Sequence, residues 1–336
     1  MIALINTNKQ NQKYMLIGCD LFTSSLDFQK ITSRDLVRLK KRFINIKIIK
    51  INPKIKKDIN YSKIQIYWGN RINMHILQKM KSLKWIHYGS SGINKEVESY
   101  ANKKNIKLSN SKKTFDNSVA ATAMGFIFCL SRSMQYPLFF RGDENYGRDF
   151  YNKIYFNMND VFKKKILFVG YGNIAKRIAK ICRSMDMQIF IIKKTIDKKI
   201  KNSFHINNLK KAVKEKDFVV NLLPSTNETK EIFDSKIFKN MNKNSFFINV
   251  GRGETVNEKD LENAIKKNYI GGAGLDVVQN EPFKKDLSLL KYNNVIITPH
   301  IAGINTRYKK EQVDLFIDNY SKFLKNKKLK FLIKKI

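Results

Sequence analysis

The stretch that decides the fold is Ile166-Leu167-Phe168-Val169-Gly170-Tyr171-Gly172-Asn173-Ile174-Ala175. Its first four residues form a continuous apolar run of strand length, the pattern of a strand buried on both faces. The run empties into a G-x-G-x-x-A turn. Ile174, Ile178, Ile181, Cys182 and Met185 then recur at three- and four-residue spacing, which predicts a helix burying that stripe. A second apolar run, residues 189–192, ends at Lys193-Lys194. Strand, glycine turn, helix and strand make one βαβ unit of the dinucleotide-binding kind. Gly170 permits the tight turn, Gly172 lets the backbone approach a pyrophosphate, and Ala175 lets the helix lie close to the strand. The N–H groups and positive dipole end of the helix face the phosphates. A glycine turn alone is weak evidence; the elements on either side of it carry the reading.

Further apolar runs follow at 218–223, 246–250, 271–275 and 295–298. Asn257, with Asp260 three residues on, predicts an N-cap for a helix over 261–267. The alternation implies a parallel, doubly wound sheet. Upstream, 15–18, 44–51, 64–68, 83–88 and 106–109 read as strands. A basic amphipathic helix over 33–43 and a short helix near 74–80 lie among them. The strand at 83–88 runs into Gly89-Ser90-Ser91-Gly92-Ile93-Asn94, a small-residue loop at the end of the sheet where α/β folds bind ligands. Residues 117–132 read as a long helix linking two domains, 137–160 as polar and irregular, and 306–324 as a final helix. The sequence shows no internal repeat.

At 336 residues, two domains are expected, and 43% hydrophobic content supplies their cores. The longest apolar stretch, 119–130, is too short to cross a bilayer, and the first thirteen residues lack a signal peptide's apolar core. Cys19, Cys129 and Cys182 have no metal-ligand spacing and read as reduced thiols of a soluble cytoplasmic protein, with no metal expected. The net charge of +37 raises nucleic-acid or membrane binding. Lysine is spread along the whole chain, however, and is accompanied by abundant asparagine and isoleucine, all encoded by adenine/thymine-rich codons. Base composition is the simpler cause, and neither a specific nucleic acid nor a membrane is expected as a partner.

Chemistry-bearing side chains stand where the later strands end. Val250-Gly251-Arg252-Gly253 places a guanidinium, Leu275-Asp276-Val277 a carboxylate followed by Glu281-Pro282, and Thr298-Pro299-His300-Ile301-Ala302-Gly303 an imidazole. Taken singly, each has an ordinary structural explanation. Together they supply an anion clamp, an acid/base and a carboxylate to tune it.

With these motifs in place, the chain resembles the D-isomer-specific 2-hydroxyacid dehydrogenases, which include glyoxylate/hydroxypyruvate reductases. The matching segments are 83–94, the glycine turn, Leu222-Leu223-Pro224-Ser225-Thr226-Asn227-Glu228-Thr229, and residues 248–253, 274–282 and 298–303. The resemblance implies a Rossmann-type domain (117–303) inserted into a flavodoxin-like α/β substrate domain (1–116 plus 304–336). It implies an oxidoreductase moving hydride between a nicotinamide cofactor and a small 2-oxo or D-2-hydroxy acid, and a homodimer.

It also implies roles for residues. Arg252 would hold the substrate's carboxylate and carbonyl, and His300 would exchange a proton with the carbonyl oxygen. Glu281 would orient His300 and raise its pKa. Backbone N–H groups of Ser90, Ser91 and Gly92 would bind the substrate carboxylate from the other domain. The cofactor would meet Gly170, Tyr171, Gly172, Asn173, Ile174, Lys193, Lys194, Pro224, Thr229, Val250, Gly251 and Gly303, with Asp276 at the nicotinamide carboxamide.

The chain also departs from the family pattern. Members using NAD carry an acidic residue at the end of the second strand, but here Lys193-Lys194-Thr195 stands there, with no carboxylate before Asp197. The cofactor is therefore NAD(P), leaning to NADP. Ala121-Thr122 replaces a common Glu-His pair, and Glu281 stands where formate dehydrogenases have glutamine. The regulatory domain of many phosphoglycerate dehydrogenases is not expected. The rival reading is a cofactor-sensing co-repressor on the same fold.

Overall fold

A computed structural model describes residues 14–23, 30–52, 59–70, 73–136, 158–196, 200, 202–284 and 286–333. Met1 to Lys13, most of the irregular 137–160 segment and Asp197 lie outside the described residues. The chain divides into two compact units, Met1–Phe115 with Ile304–Ile336, and Asp116–Gly303.

The first unit holds β1 (Met15–Cys19), β2 (Ile46–Lys50), β3 (Ile66–Gly69), β4 (Trp85–Tyr88) and β5 (Lys107–Ser109). They pair in parallel in the order β2-β1-β3-β4-β5, the flavodoxin-like arrangement. Its helices are α1 (Ser33–Arg42), α2 (Met74–Lys79) and α3 (Lys95–Lys103). Alternation along the strands sends Trp68 and Trp85 to one face, Tyr67 and Ile86 to the other. Caps explain the helix starts: the Asp35 carboxylate accepts the Thr32 N–H at 2.8 Å ahead of α1, and the Asn94 side chain accepts the Glu96 N–H at 2.7 Å ahead of α3.

The second unit opens with the long helix α4 (Asp116–Ser131). Then come β6 (Lys165–Val169), α5 (Asn173–Arg183), β7 (Gln188–Lys193), β8 (Ser203–His205), α6 (Leu209–Ala212) and β9 (Phe218–Asn221). After them follow α7 (Ser235–Phe238), β10 (Phe246–Asn249), α8 (Glu258–Lys266), β11 (Gly272–Leu275) and β12 (Val295–Ile297). All seven strands are parallel, in the order β12-β11-β10-β9-β6-β7-β8. This is the doubly wound Rossmann order, and strand order reverses between β6 and β9, where such folds take their ligands. The last helix, α9 (Tyr308–Leu324), belongs to the first unit, where Phe316 stacks on Trp68 at a ring separation of 3.9 Å.

Two readings are corrected. The buried face of α5 is Ala175, Ile178, Ala179 and Cys182, whereas Ile181 is 40% exposed. The helix is rotated toward its alanines because only small side chains allow a close approach to the sheet, and this outweighs the burial of two isoleucines. The edge strand β8 and helix α3 also went unread, since Ser-Phe-His and a polar run beginning Lys-Glu carry little apolar periodicity. Asn257 does cap α8, accepting the Asp260 N–H at 3.1 Å.

Candidate active site

The glycine turn lies at the switch point after β6. Gly170 has φ +93°, and a Cβ there would stand 3.1 Å from the Leu222 carbonyl oxygen, so glycine is required. Gly172 precedes α5, and a Cβ built on it meets nothing within 4 Å. That open space, beside the first turn of α5, whose N–H donors have no partner within the helix, suits a pyrophosphate. Tyr171 packs obliquely against Phe168, and Asn173 and Ile174 begin the helix. On the far side, the Thr229 hydroxyl donates to the Pro224 carbonyl at 2.6 Å, and the Thr226 N–H donates to the Thr229 hydroxyl at 2.8 Å, closing the 224–229 loop on itself.

Lys193 is the last residue of β7 and has no ion pair among the described residues. Lys194 meets both carboxylate oxygens of Glu228 at 2.8 and 2.9 Å. The sequence reading noted the missing acid along the strand and did not foresee that Glu228 supplies one from the 224–229 loop. Both groups are largely exposed, so the pair is weak.

Arg252 is held through its backbone. Its carbonyl accepts from the Thr255 hydroxyl at 2.6 Å and the Asn249 side chain at 3.2 Å. Asn221, fully buried, bridges Asn249 at 3.0 Å and Thr255 at 2.7 Å. The Asn249 side-chain oxygen also accepts the Gly251 N–H, next to Val250. Sequence reasoning missed this network, although its signal was present: β9 and β10 are apolar runs that each end in asparagine.

His300 sits in the left-handed region at φ +55°. Asp276, buried at the end of β11, shapes the turn that holds it there. Its carboxylate accepts the Thr298 hydroxyl at 2.7 Å, the Ile301 N–H at 2.8 Å and the Ala302 N–H at 3.0 Å. These bonds commit the carboxylate to the 298–303 turn, which closes with Gly303. Burial raises the Asp276 pKa, opposed by those hydrogen bonds and by the charge of His300.

The His300 Nδ1 lies 2.6 Å from the Glu281 carboxylate, whose other oxygen accepts the Val278 N–H at 3.2 Å. The Glu281 hydrogen bond raises the His300 pKa; burial and the positive charge of Arg252 oppose it, and the charges of Glu281 and Asp276 add to the rise. Burial pushes Glu281 upward, but His300, the Val278 N–H and Arg252 together leave it lowered. Guanidinium, imidazole and carboxylate thus share one electrostatic neighbourhood at adjacent strand ends.

Ser90, Ser91 and Gly92 follow β4 in the first unit, where Ser90 donates its hydroxyl to the Gly92 carbonyl at 2.8 Å. Among the described residues there is no metal-holding group of side chains, and no helix is long and apolar enough to cross a membrane. The three cysteines form no disulfide.

A parallel doubly wound sheet with an open glycine turn at its switch point defines a dinucleotide-binding α/β protein. Residues 127–302 match the family model described as D-isomer specific 2-hydroxyacid dehydrogenase, NAD binding domain, and the chain belongs to that family. A probable 2-ketogluconate reductase from Dictyostelium discoideum is 30% identical over 69% of this chain and 70% of its own length. A glyoxylate reductase from Pyrococcus horikoshii is 28% identical over 76% and 77%. Among solved structures, an NADPH-dependent glyoxylate/hydroxypyruvate reductase from Sinorhizobium meliloti, in complex with citrate, superposes with a TM-score of 0.77. It covers 96% of this chain and 98% of that one at 19% identity, a likeness of fold.

Proposed function

We propose that this protein reduces a small 2-oxo acid to the D-2-hydroxy acid, and that it accepts NADPH at least as well as NADH. The observation that carries the reading is the His300–Glu281 pair at 2.6 Å, set beside Arg252 at neighbouring strand ends. A bound reduced nicotinamide supplies hydride to the substrate's carbonyl carbon. With Nδ1 donating to Glu281, the Nε2 proton of His300 is left for the carbonyl oxygen, and the Glu281 hydrogen bond raises the His300 pKa, favouring the protonated imidazole. Arg252, permanently charged and fork-shaped, holds the carboxylate and steadies the oxygen as charge develops. The N–H groups of Ser90, Ser91 and Gly92 take the carboxylate as well. We assign cofactor binding to residues 117–303 and substrate binding to 1–116 with 304–336, in a cytoplasmic homodimer whose mass sedimentation would read.

The NADPH preference is supported by Lys193, which has no ion pair among the described residues and stands where an acid would repel a 2′-phosphate, and by the exposure of the Lys194–Glu228 pair, which a phosphate can displace. The test is a panel of 2-oxo acids with both reduced cofactors, following loss of the reduced nicotinamide. Turnover of at least one acid is expected, with kcat/KM for NADPH at or above that for NADH, and Lys193→Asp moving the preference toward NADH. No turnover of any 2-oxo acid overturns the reading. A parent that strongly prefers NADH, or a Lys193→Asp variant whose preference does not move toward NADH, overturns the cofactor assignment alone.

A further inference from the structure

The loop after β4 is tied down from beneath, one peptide after another. The Gly89 carbonyl accepts from the Tyr308 hydroxyl at 2.5 Å and from the Gln312 side-chain amide. The Ser90 carbonyl accepts the Ser111 N–H at 3.0 Å, and the Ser91 carbonyl accepts the Asn110 side-chain amide at 2.6 Å. In a planar trans peptide, the carbonyl and the following N–H point in opposite directions. Three successive carbonyls drawn toward the scaffold therefore turn three successive N–H groups, those of Ser90, Ser91 and Gly92, away from it. None of the three donates to any of the described residues. Convergent unsatisfied backbone donors of this kind form an anion-binding concavity.

The donors beneath the loop are themselves locked. Gln312 is 1% exposed; its oxygen accepts the Trp68 indole N–H at 3.2 Å, and its amide also reaches the Tyr308 hydroxyl at 3.1 Å. Tyr308 is equally buried. Gly89 has no side chain to interfere: a Cβ there would fall 2.5 Å from the Gln312 amide and 2.7 Å from the Asn70 side-chain oxygen. Tyr308 and Gln312 lie one turn apart on α9, more than two hundred residues from the loop in sequence. The Gly89 carbonyl oxygen, with two lone pairs, takes both buried donors at once.

We propose that Tyr308, Gln312 and Asn110 are positioning residues for substrate affinity: by holding the Gly89 and Ser91 carbonyls they aim the N–H groups of Ser90 and Gly92 at the substrate carboxylate. The proposal rests on the reading of this loop as a carboxylate cradle, and the experiment separates the two. The variants are Tyr308→Phe, Gln312→Leu, their double, and Asn110→Ala. A further protein carries an ester in place of the Gly92 peptide N–H, made by incorporating glycolic acid at that position. Each is assayed for KM of the best 2-oxo acid, KM of the reduced cofactor, kcat and melting temperature.

Removing two donors from one oxygen should cost more than the sum of the singles. The double variant is expected to raise the 2-oxo acid KM roughly ten-fold or more, with the cofactor KM within two-fold of the parent, since charged groups depend steeply on donor geometry. Asn110→Ala should raise the same KM several-fold, and it stands in if the double variant does not fold. A melting temperature that falls while the 2-oxo acid KM stays at the parent value shows purely structural bonds and overturns the proposal. An ester at Gly92 that leaves this KM unchanged removes the cradle reading, and the proposal with it. An ester that raises KM while all the side-chain variants leave it unchanged overturns the proposal alone.

Discussion

At the scale of the residue, His300 is a non-glycine side chain at φ +55°, a conformation that costs on the order of 1 kcal/mol or more and persists only where its surroundings impose it. Asp276 imposes it by gripping Thr298, Ile301 and Ala302 on either side. His300→Ala is expected to lower turnover on the order of 10²-fold or more, as loss of a general acid does, while fluorescence titration finds cofactor affinity nearly unchanged. Turnover within a few-fold of the parent would remove His300 as the acid. The pH profile adds a second check. Reduction needs the protonated imidazole, so the rate falls as pH rises through the His300 pKa, which Glu281 raises above the ordinary histidine value. Glu281→Gln removes that support, and the falling limb of kcat/KM should move to lower pH; a limb that stays in place would show that Glu281 does not tune the histidine. That Arg252, Glu281 and His300 come together was legible, because they stand in ordered motifs at strand ends. The supports were not: Asn221, Asn249 and Thr255 act through bonds between separate strands, which no linear spacing displays.

Among the elements, strands were easier to read than helix orientations. Continuous apolar runs such as Phe-Val-Val and Phe-Phe-Ile announce buried parallel strands by hydrophobicity alone, whereas the face that α5 buries depends on how closely it must approach the sheet. Close approach also sets two turns of the candidate site against each other. A Cβ on Gly253 would lie 1.8 Å from the Val278 carbonyl oxygen, so the turn bearing Arg252 and the turn leading to Glu281 are in contact through a missing side chain. Because the obstacle is backbone, it cannot rotate away. Gly253→Ala is expected to destabilise the protein by about 1–3 kcal/mol and to lower kcat/KM by more than that loss of folded protein explains. Calorimetry alongside kinetics on the folded fraction would check it. Parent-like values for both would mean that this contact does not set the spacing of Arg252 and Glu281.

For the whole molecule, two parallel sheets of different strand order emerge from one alternation of strand and helix, with the final helix returning to the first unit. Alternation and the glycine turn made the fold class readable; the edge strand β8 and the Glu228 that reaches Lys194 depend on distant loops and were not. The +37 charge says least about the fold, since the lysines are scattered along the whole chain. What unites the two units in this account is one reaction: hydride to the carbonyl carbon of a 2-oxo acid and a proton from His300 to its oxygen. The most direct test supplies reduced nicotinamide deuterated at its reactive carbon, together with the best 2-oxo acid, and analyses the product by proton NMR and chiral chromatography. The account predicts a D-2-hydroxy acid carrying deuterium at the carbon bearing the new hydroxyl, and an L product, or a product without deuterium at that carbon, would contradict it.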